Sequence, residues 1–390
     1  MSTDFLRYSP YLVQVPADFD RNMDLVLQGI DRYIPGTPSS EPRGKPEGRA
    51  VRATHAKSYG VAKAEVEVLG NLPPEYAQGI YAKPGRYGAL ARFSNGSPHL
   101  GMDTMLPRAM GLSVKIFGIE GPKLLEDEAN SRTFDYSNIN LPVFFCSTVE
   151  QYVVVQQLNV DQPTYMSEGV PGRNRLFRDF LTLKGTLSPD RYLRVEFSAF
   201  LRATALPPKN LLLFSYWTMG AVRHGDYVAK LRFAPTETSA NSVVQRDLLP
   251  LPPPPPPTPP PPPKDVYYQA LVSELQARPY EFDIQVQLSI DRVLMPIDNV
   301  SVEWPEGFSP FVTVGKLRLP QQDISSYDNV EAMDALSINP WRVTAEHAPL
   351  GEIQLSRKEA YRRSSILRHQ INRQERREPQ TPDEALMKAK

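Results

Sequence analysis

The chain predicts an α+β fold built on an antiparallel β-barrel wall, and three observations carry that expectation. Residues 280–290 alternate strictly, with Phe282, Ile284, Val286, Leu288 and Ile290 separated by polar side chains, as in a strand with one buried and one wet face. Strand patterns gather early and late in the chain, with helical periodicity between them. The 390 residues are long enough to bury a large core, and 41% hydrophobic with 23% charged residues is an ordinary globular balance.

Taken in order, residues 1–45 read as an extended, Pro-containing arm around one amphipathic helix at 23–34. Strands follow at 61–69, where VAKAEVEVL alternates, at 90–94 and at 112–117. Helical patterns occupy 148–158, 174–184 and 188–205, and strand character returns at 227–233. Residues 252–263 are proline except for Thr258, a run that adopts polyproline II. It reads first as a stiff loop and second as a ligand for an SH3- or WW-type groove. A helix at 266–276 and strands at 280–290 and 312–319 come next, and helices close the chain after 328. The expected division is an arm at 1–45, a globular domain at 46–373 and a polar tail at 374–390 that frays.

Several function classes are excluded at this level. Lys plus Arg number 44 and Asp plus Glu number 44, so no net basic field attracts nucleic acid. The N-terminal residues lack a basic start and an apolar core, no stretch is long enough for a transmembrane helix, and Cys146 is the single cysteine. A cytoplasmic location is the expectation. The five histidines show no helical zinc spacing, and no phosphate-binding, dinucleotide-binding or nucleophile-elbow motif occurs.

The most informative segment is SRKEAYRRSSILRHQINRQER, a helix pattern carrying Arg357, Tyr361 and Arg368. Residues four and seven apart share a helix face, so both arginines flank the tyrosine. Cations beside a phenol favour the phenolate, a hard anion suited to ferric iron and able to act as the proximal ligand of a haem.

Other motifs appear in a fixed order. They are RxxHAKxxG from Arg52 to Gly60, RFS from Arg92 to Ser94, GLSVKIF from Gly111 to Phe117 and NxPVFF from Asn140 to Phe145. Then come Trp304-Pro305, VGKLRL from Val314 to Leu319, NPW from Asn339 to Trp341, EHAPLG from Glu346 to Gly351, and the tyrosine helix itself. Together they resemble the haem catalase superfamily, and the last group is similar to its small, catalase-related haem peroxidases. The resemblance covers roughly residues 50–370.

It implies a catalase-like eight-stranded antiparallel barrel with surrounding helices and a buried haem b, ferric protoporphyrin IX. By the same resemblance His55 is the distal histidine, moving a proton between the oxygens of a hydroperoxide. Asn140 would hold the peroxide by its amide. Tyr361 is the axial ligand of the haem iron, kept ionised by Arg357. Arg52, Arg92 and Arg368 pair with the propionates, and Phe145 or Phe144 packs over the distal cavity.

Three departures shape the functional expectation. An ungapped match to the long catalases puts their distal asparagine on Ile139, between Asn138 and Asn140. Thr54 stands before the distal histidine where catalases carry valine, and a hydroxyl there can bond the imidazole and damp hydrogen-peroxide dismutation. Threonine at this place also resembles the catalase-like allene oxide synthases. The chain stops soon after the tyrosine helix, so the interlocked tetramer of long catalases is not expected. The leading expectation is a haem oxidoreductase acting on organic, fatty-acid hydroperoxides as a peroxidase or a hydroperoxide isomerase or lyase. A compact true catalase and a haem-binding or docking protein without turnover are the alternatives.

Overall fold

The computed structural model describes residues 4–36, 50–100, 103, 109–248, 266–327 and 335–386. Nine strands form one sheet: β1 (Ser58–Val68), β2 (Gly85–Asn95), β3 (Met110–Phe117), β4 (Thr133–Ile139), β5 (Tyr216–Thr218), β6 (Val222–His224), β7 (Tyr227–Pro235), β8 (Tyr280–Leu288) and β9 (Val312–Leu319). The pairing order β5-β4-β3-β2-β1-β9-β8-β7 closes through β5–β7, giving an eight-stranded antiparallel barrel with β6 attached to β7. Closure removes the sheet edges that an open wall would leave unpaired.

Alternation builds the wall. On β8, Phe282, Ile284, Val286 and Leu288 enter a core with Phe93, Phe134, Tyr216 and Phe233. The outward Glu281 meets Arg318 and Lys316 of β9 at 2.8 and 2.5 Å. Gly60, at φ 151°, sits where the β1–β2 register shifts, and a Cβ there would meet Ile324 Cδ1 at 2.9 Å. In the same core Tyr81 and Tyr136 share a hydrogen bond of 2.8 Å beside two buried imidazoles. His224 Nε2 lies 3.0 Å from the Tyr76 carbonyl, and His347 Nε2 accepts from the Ile80 amide at 2.9 Å.

Eight helices surround the barrel among the described residues: α1 (Phe19–Gly36), α2 (Val149–Ser167), α3 (Gly169–Leu181), α4 (Arg194–Thr204), α5 (Glu237–Ser242), α6 (Val266–Ala277), α7 (Glu352–Asn372) and α8 (Pro382–Leu386). Phe145, Phe177, Phe180, Phe197 and Phe200 cluster with Val155 and Leu158 and join α2, α3 and α4 in one layer. Helix α1 lays Met23, Val26, Ile30 and Ile34 against α2 and against Ala360, Leu367 and Ile371 of α7.

Three elements depart from the sequence expectation. The strand β4 was not legible in TFDYSNI, because Asp, Ser and Asn disfavour strands. Here each has a specific place: Asp135, for instance, pairs with Lys115 at 2.8 Å and with Arg342 in a buried ion pair. The short strands β5 and β6 lack the length to show a period. The tail was expected to fray, yet residues 374–386 pack back on the wall. Glu378 reaches Lys115 and Arg342, accepts from Thr133 Oγ1 at 2.6 Å, and Leu386 covers Leu90 and Phe117. The polyproline run lies outside the described residues, as does any docking role for it. No described helix is long and apolar enough to cross a membrane.

Candidate functional site

The site lies between the outer face of β2–β4 and the helices α1, α2 and α7. Helical spacing sets the first part of it. Arg357 and Tyr361, one turn apart on α7, meet through a bond from Arg357 Nη2 to the phenol oxygen at 3.0 Å. The guanidinium also donates to the Ser137 carbonyl at 3.1 Å and to Gln354 Oε1 at 2.7 Å, which fixes its plane. Ser137 Oγ lies 3.2 Å from the phenol on its other side. Burial alone would raise the pKa of Tyr361. The Arg357 charge, the bonds from Ser137 and Arg357, and the Arg92 charge outweigh it, so the phenol is held below its ordinary pKa.

His55 comes from the segment before β1 and has φ 57°, a left-handed conformation that a non-glycine residue adopts at a cost. Its Nδ1 lies 3.2 Å from Ser94 Oγ, and its carbonyl accepts from Arg92 Nη2 at 2.9 Å. The ring lies against β3 at Gly111, where a Cβ would stand 2.5 Å from Nδ1. Burial first, then the charge of Arg92, lowers the His55 pKa to about 3, against the opposing bond to the Asn95 backbone. The imidazole is therefore neutral at ordinary pH. Among the described residues the groups bonded to the ring are Ser94 Oγ and the Asn95 backbone.

Two cavities meet at this pair. Thr54, His55, Tyr152, Ala360 and Tyr361 line both. The first is cationic: Arg52, Arg92 and Arg368 face it and no acidic residue lines it among those described. The second is walled mainly by Ile139, Leu141, Phe144, Phe145, Met219 and Ile353. Three arginines along one wall give the first cavity a positive field that attracts an anionic group. The paired spaces therefore suit a large flat molecule with an apolar body and an anionic edge. A ferric porphyrin with two propionates has that shape and charge, and the Tyr361 phenol is the oxygen donor that such a group would find here. Among the described residues no cluster of three His, Cys, Asp or Glu side chains offers another metal site.

Most residues expected from sequence come together here: Arg52, Thr54, His55, Arg92, Phe145, Arg357, Tyr361 and Arg368 all line a cavity. Asn140 does not line either. Its Oδ1 accepts from the Met110 amide at 2.8 Å, because β4 ends there and the chain turns. The Thr54 hydroxyl makes no bond to His55, whose Nδ1 is taken by Ser94. Arg368 lines the first cavity, while Arg357 donates to the tyrosine oxygen. Sequence reasoning missed Ser94, Ser137, Gln354 and Tyr152. Ser94 was visible in the RFS motif, while the others depend on which strand and helix faces meet.

The class defined by this architecture is the catalase-like barrel. The chain is similar in structure to catalase A from Saccharomyces cerevisiae, with a TM-score of 0.57 and 17% identity over 83% of this chain and 63% of that one. It is also similar to a bacterial catalase, with a TM-score of 0.51 and 13% identity over 95% of this chain and 63% of the other. The chain thus spans less than two thirds of the length of these catalases. No protein-family model matches the sequence, and no curated protein matches it in sequence. At such identities the likeness establishes the fold.

Proposed function

We propose that the protein is a haem-dependent oxidoreductase acting on peroxides, with organic, fatty-acid hydroperoxides as its substrates and a peroxidase, isomerase or lyase outcome. The observation that carries this reading is Tyr361. Its phenol is bonded by Arg357 and Ser137 and held below its ordinary pKa, where two cavities of opposite character meet beside His55. Haem b fits this donor set. Tyr361 would hold the iron, Arg52, Arg92 and Arg368 the propionates, and Phe145 with Ile139 the apolar edge. When bound, ferric haem would supply the electrons that reduce the peroxide and break its O–O bond.

The chain's own residues do the rest. Neutral His55 takes the hydroperoxide proton at Nε2 and returns it to the leaving oxygen. The lowered pKa keeps the imidazole neutral, so its ring nitrogen is open to a proton at ordinary pH. Ser94 holds the ring by Nδ1 so that Nε2 keeps one direction. Phe144 and Phe145, their ring centroids 4.3 Å apart, exclude water from the apolar side. That apolar side favours an alkyl hydroperoxide over hydrogen peroxide.

The test is a titration of purified protein with ferric haem, followed by peroxide assays. The expected result is one haem per chain with a high-spin ferric, phenolate-type spectrum, turnover of a fatty-acid hydroperoxide, and loss of turnover in His55→Gln with the spectrum retained. Tyr361→Phe is expected to lose haem. A histidine-type spectrum, or unchanged haem binding in Tyr361→Phe, overturns the reading.

A further inference from the structure

The strand β4 is paired on both edges. Asn138 and Ile139 lie opposite Leu112 and Gly111 of β3, and opposite Thr218 and Trp217 of β5. Successive strand residues face opposite sides. The register that turns Ser137 outward to Tyr361 therefore turns Ile139 outward as well, and Asn138 inward with Tyr136. The side chains bear this out. Ile139 lines the apolar cavity beside His55, and both polar side-chain atoms of Asn138 are buried without a partner among the described residues. The next amide, Asn140, is turned to the Met110 backbone. A slip by one residue would bring an amide to the cavity, but pairing on two edges forbids it.

We infer that Ile139 sets the peroxide specificity of this site, an inference that rests on the peroxide reading above. A hydrogen peroxide molecule held at His55 gains no second amide anchor from β4, whereas an alkyl group gains an apolar wall from Ile139, Leu141, Phe144 and Met219. Asn159 also lines the cavity, but it belongs to α2, and its backbone carbonyl lies 2.8 Å from His99 Nε2.

The test compares wild type, Ile139→Asn and Ile139→Ala in the haem-loaded protein. Two readouts are used: cyanide affinity by spectral titration, and the ratio of kcat/KM for hydrogen peroxide to that for cumene hydroperoxide. Asparagine adds one hydrogen-bond donor, so it is expected to tighten cyanide binding and raise the ratio, each roughly tenfold. Alanine adds space without a donor and is expected to leave cyanide affinity unchanged while weakening cumene hydroperoxide use. If the asparagine variant does not fold, Ile139→Thr supplies a donor on a β-branched frame with the same expected directions. An asparagine or threonine variant with the wild-type haem spectrum and neither quantity moved overturns the inference. If wild type turns over neither peroxide, the peroxide reading fails, and cyanide affinity still reports whether Ile139 withholds a donor.

Discussion

Replacing Arg357 by methionine removes the cation at Tyr361 while keeping a long side chain in the space. The guanidinium nitrogen stands 3.0 Å from the phenol oxygen, and the group's carbon is 5.1 Å from the ring centre. A unit charge about 4 Å away at an effective dielectric of 20 is worth about 4 kcal/mol. At about 1.36 kcal/mol per tenfold change in an equilibrium, its loss makes the phenolate roughly a thousandfold harder to form. Burial, the largest upward influence on Tyr361, is then opposed only by Ser137 and the more distant Arg92. The phenol moves above its ordinary range. Because the ligand must ionise before it binds iron, haem affinity at neutral pH should fall roughly a thousandfold. The assay is a ferric haem titration from pH 6 to 10. Wild type should show little slope above its lowered pKa, while the methionine variant should gain about tenfold per pH unit until its raised pKa is reached. A methionine variant with wild-type affinity and no pH slope would refute the phenolate reasoning.

Two further outcomes are expected from groups away from the chemistry. Burial lowers the His224 pKa from 6.5 to about 4, so the unfolded chain binds more protons between those values, and stability falls as pH drops through that window. The shift of about 2.5 units corresponds to roughly 3 kcal/mol lost between pH 6.5 and 4; denaturant midpoints that fall no further in wild type than in His224→Gln would count against it. Glu378→Gln leaves Lys115 and Arg342 short of a counter-charge inside the wall and should cost about 3 kcal/mol. A loss below about 1 kcal/mol on urea unfolding would show that the remaining carboxylates suffice.

The legible parts of this molecule are those in which one strong local rule acts alone. Residues 280–288 alternate because a barrel wall has two faces, and Arg357 with Tyr361 share a helix face at any tertiary arrangement. The strand β4 was hidden because two of its polar residues find their partners outside the strand: Arg342 and Lys115 for Asp135, Tyr361 for Ser137. The expectation for Asn140 failed to reach the cavity for a related reason. Which of three consecutive residues faces a site depends on register, and register is set by strands more than 20 residues away. The folded tail escaped notice because polar composition does not reveal a carboxylate buried in another element's charge network.

Helix α1, from the start of the chain, is wedged between α2 and α7, from its end, with Ile30 on the cavity and Arg363 bound to Asp31 at 2.6 Å. A molecule held inside is thereby fenced by a latch of modest strength, because the Arg363–Asp31 pair is surface-exposed and the apolar stripe of α1 is only a few side chains wide. Escape rates from such a chamber follow the free energy of peeling one helix from its neighbours, a local opening far cheaper than unfolding the barrel. The residence time of the guest and the thermal endurance of the fold are thus governed by different contacts, and each can be altered without the other.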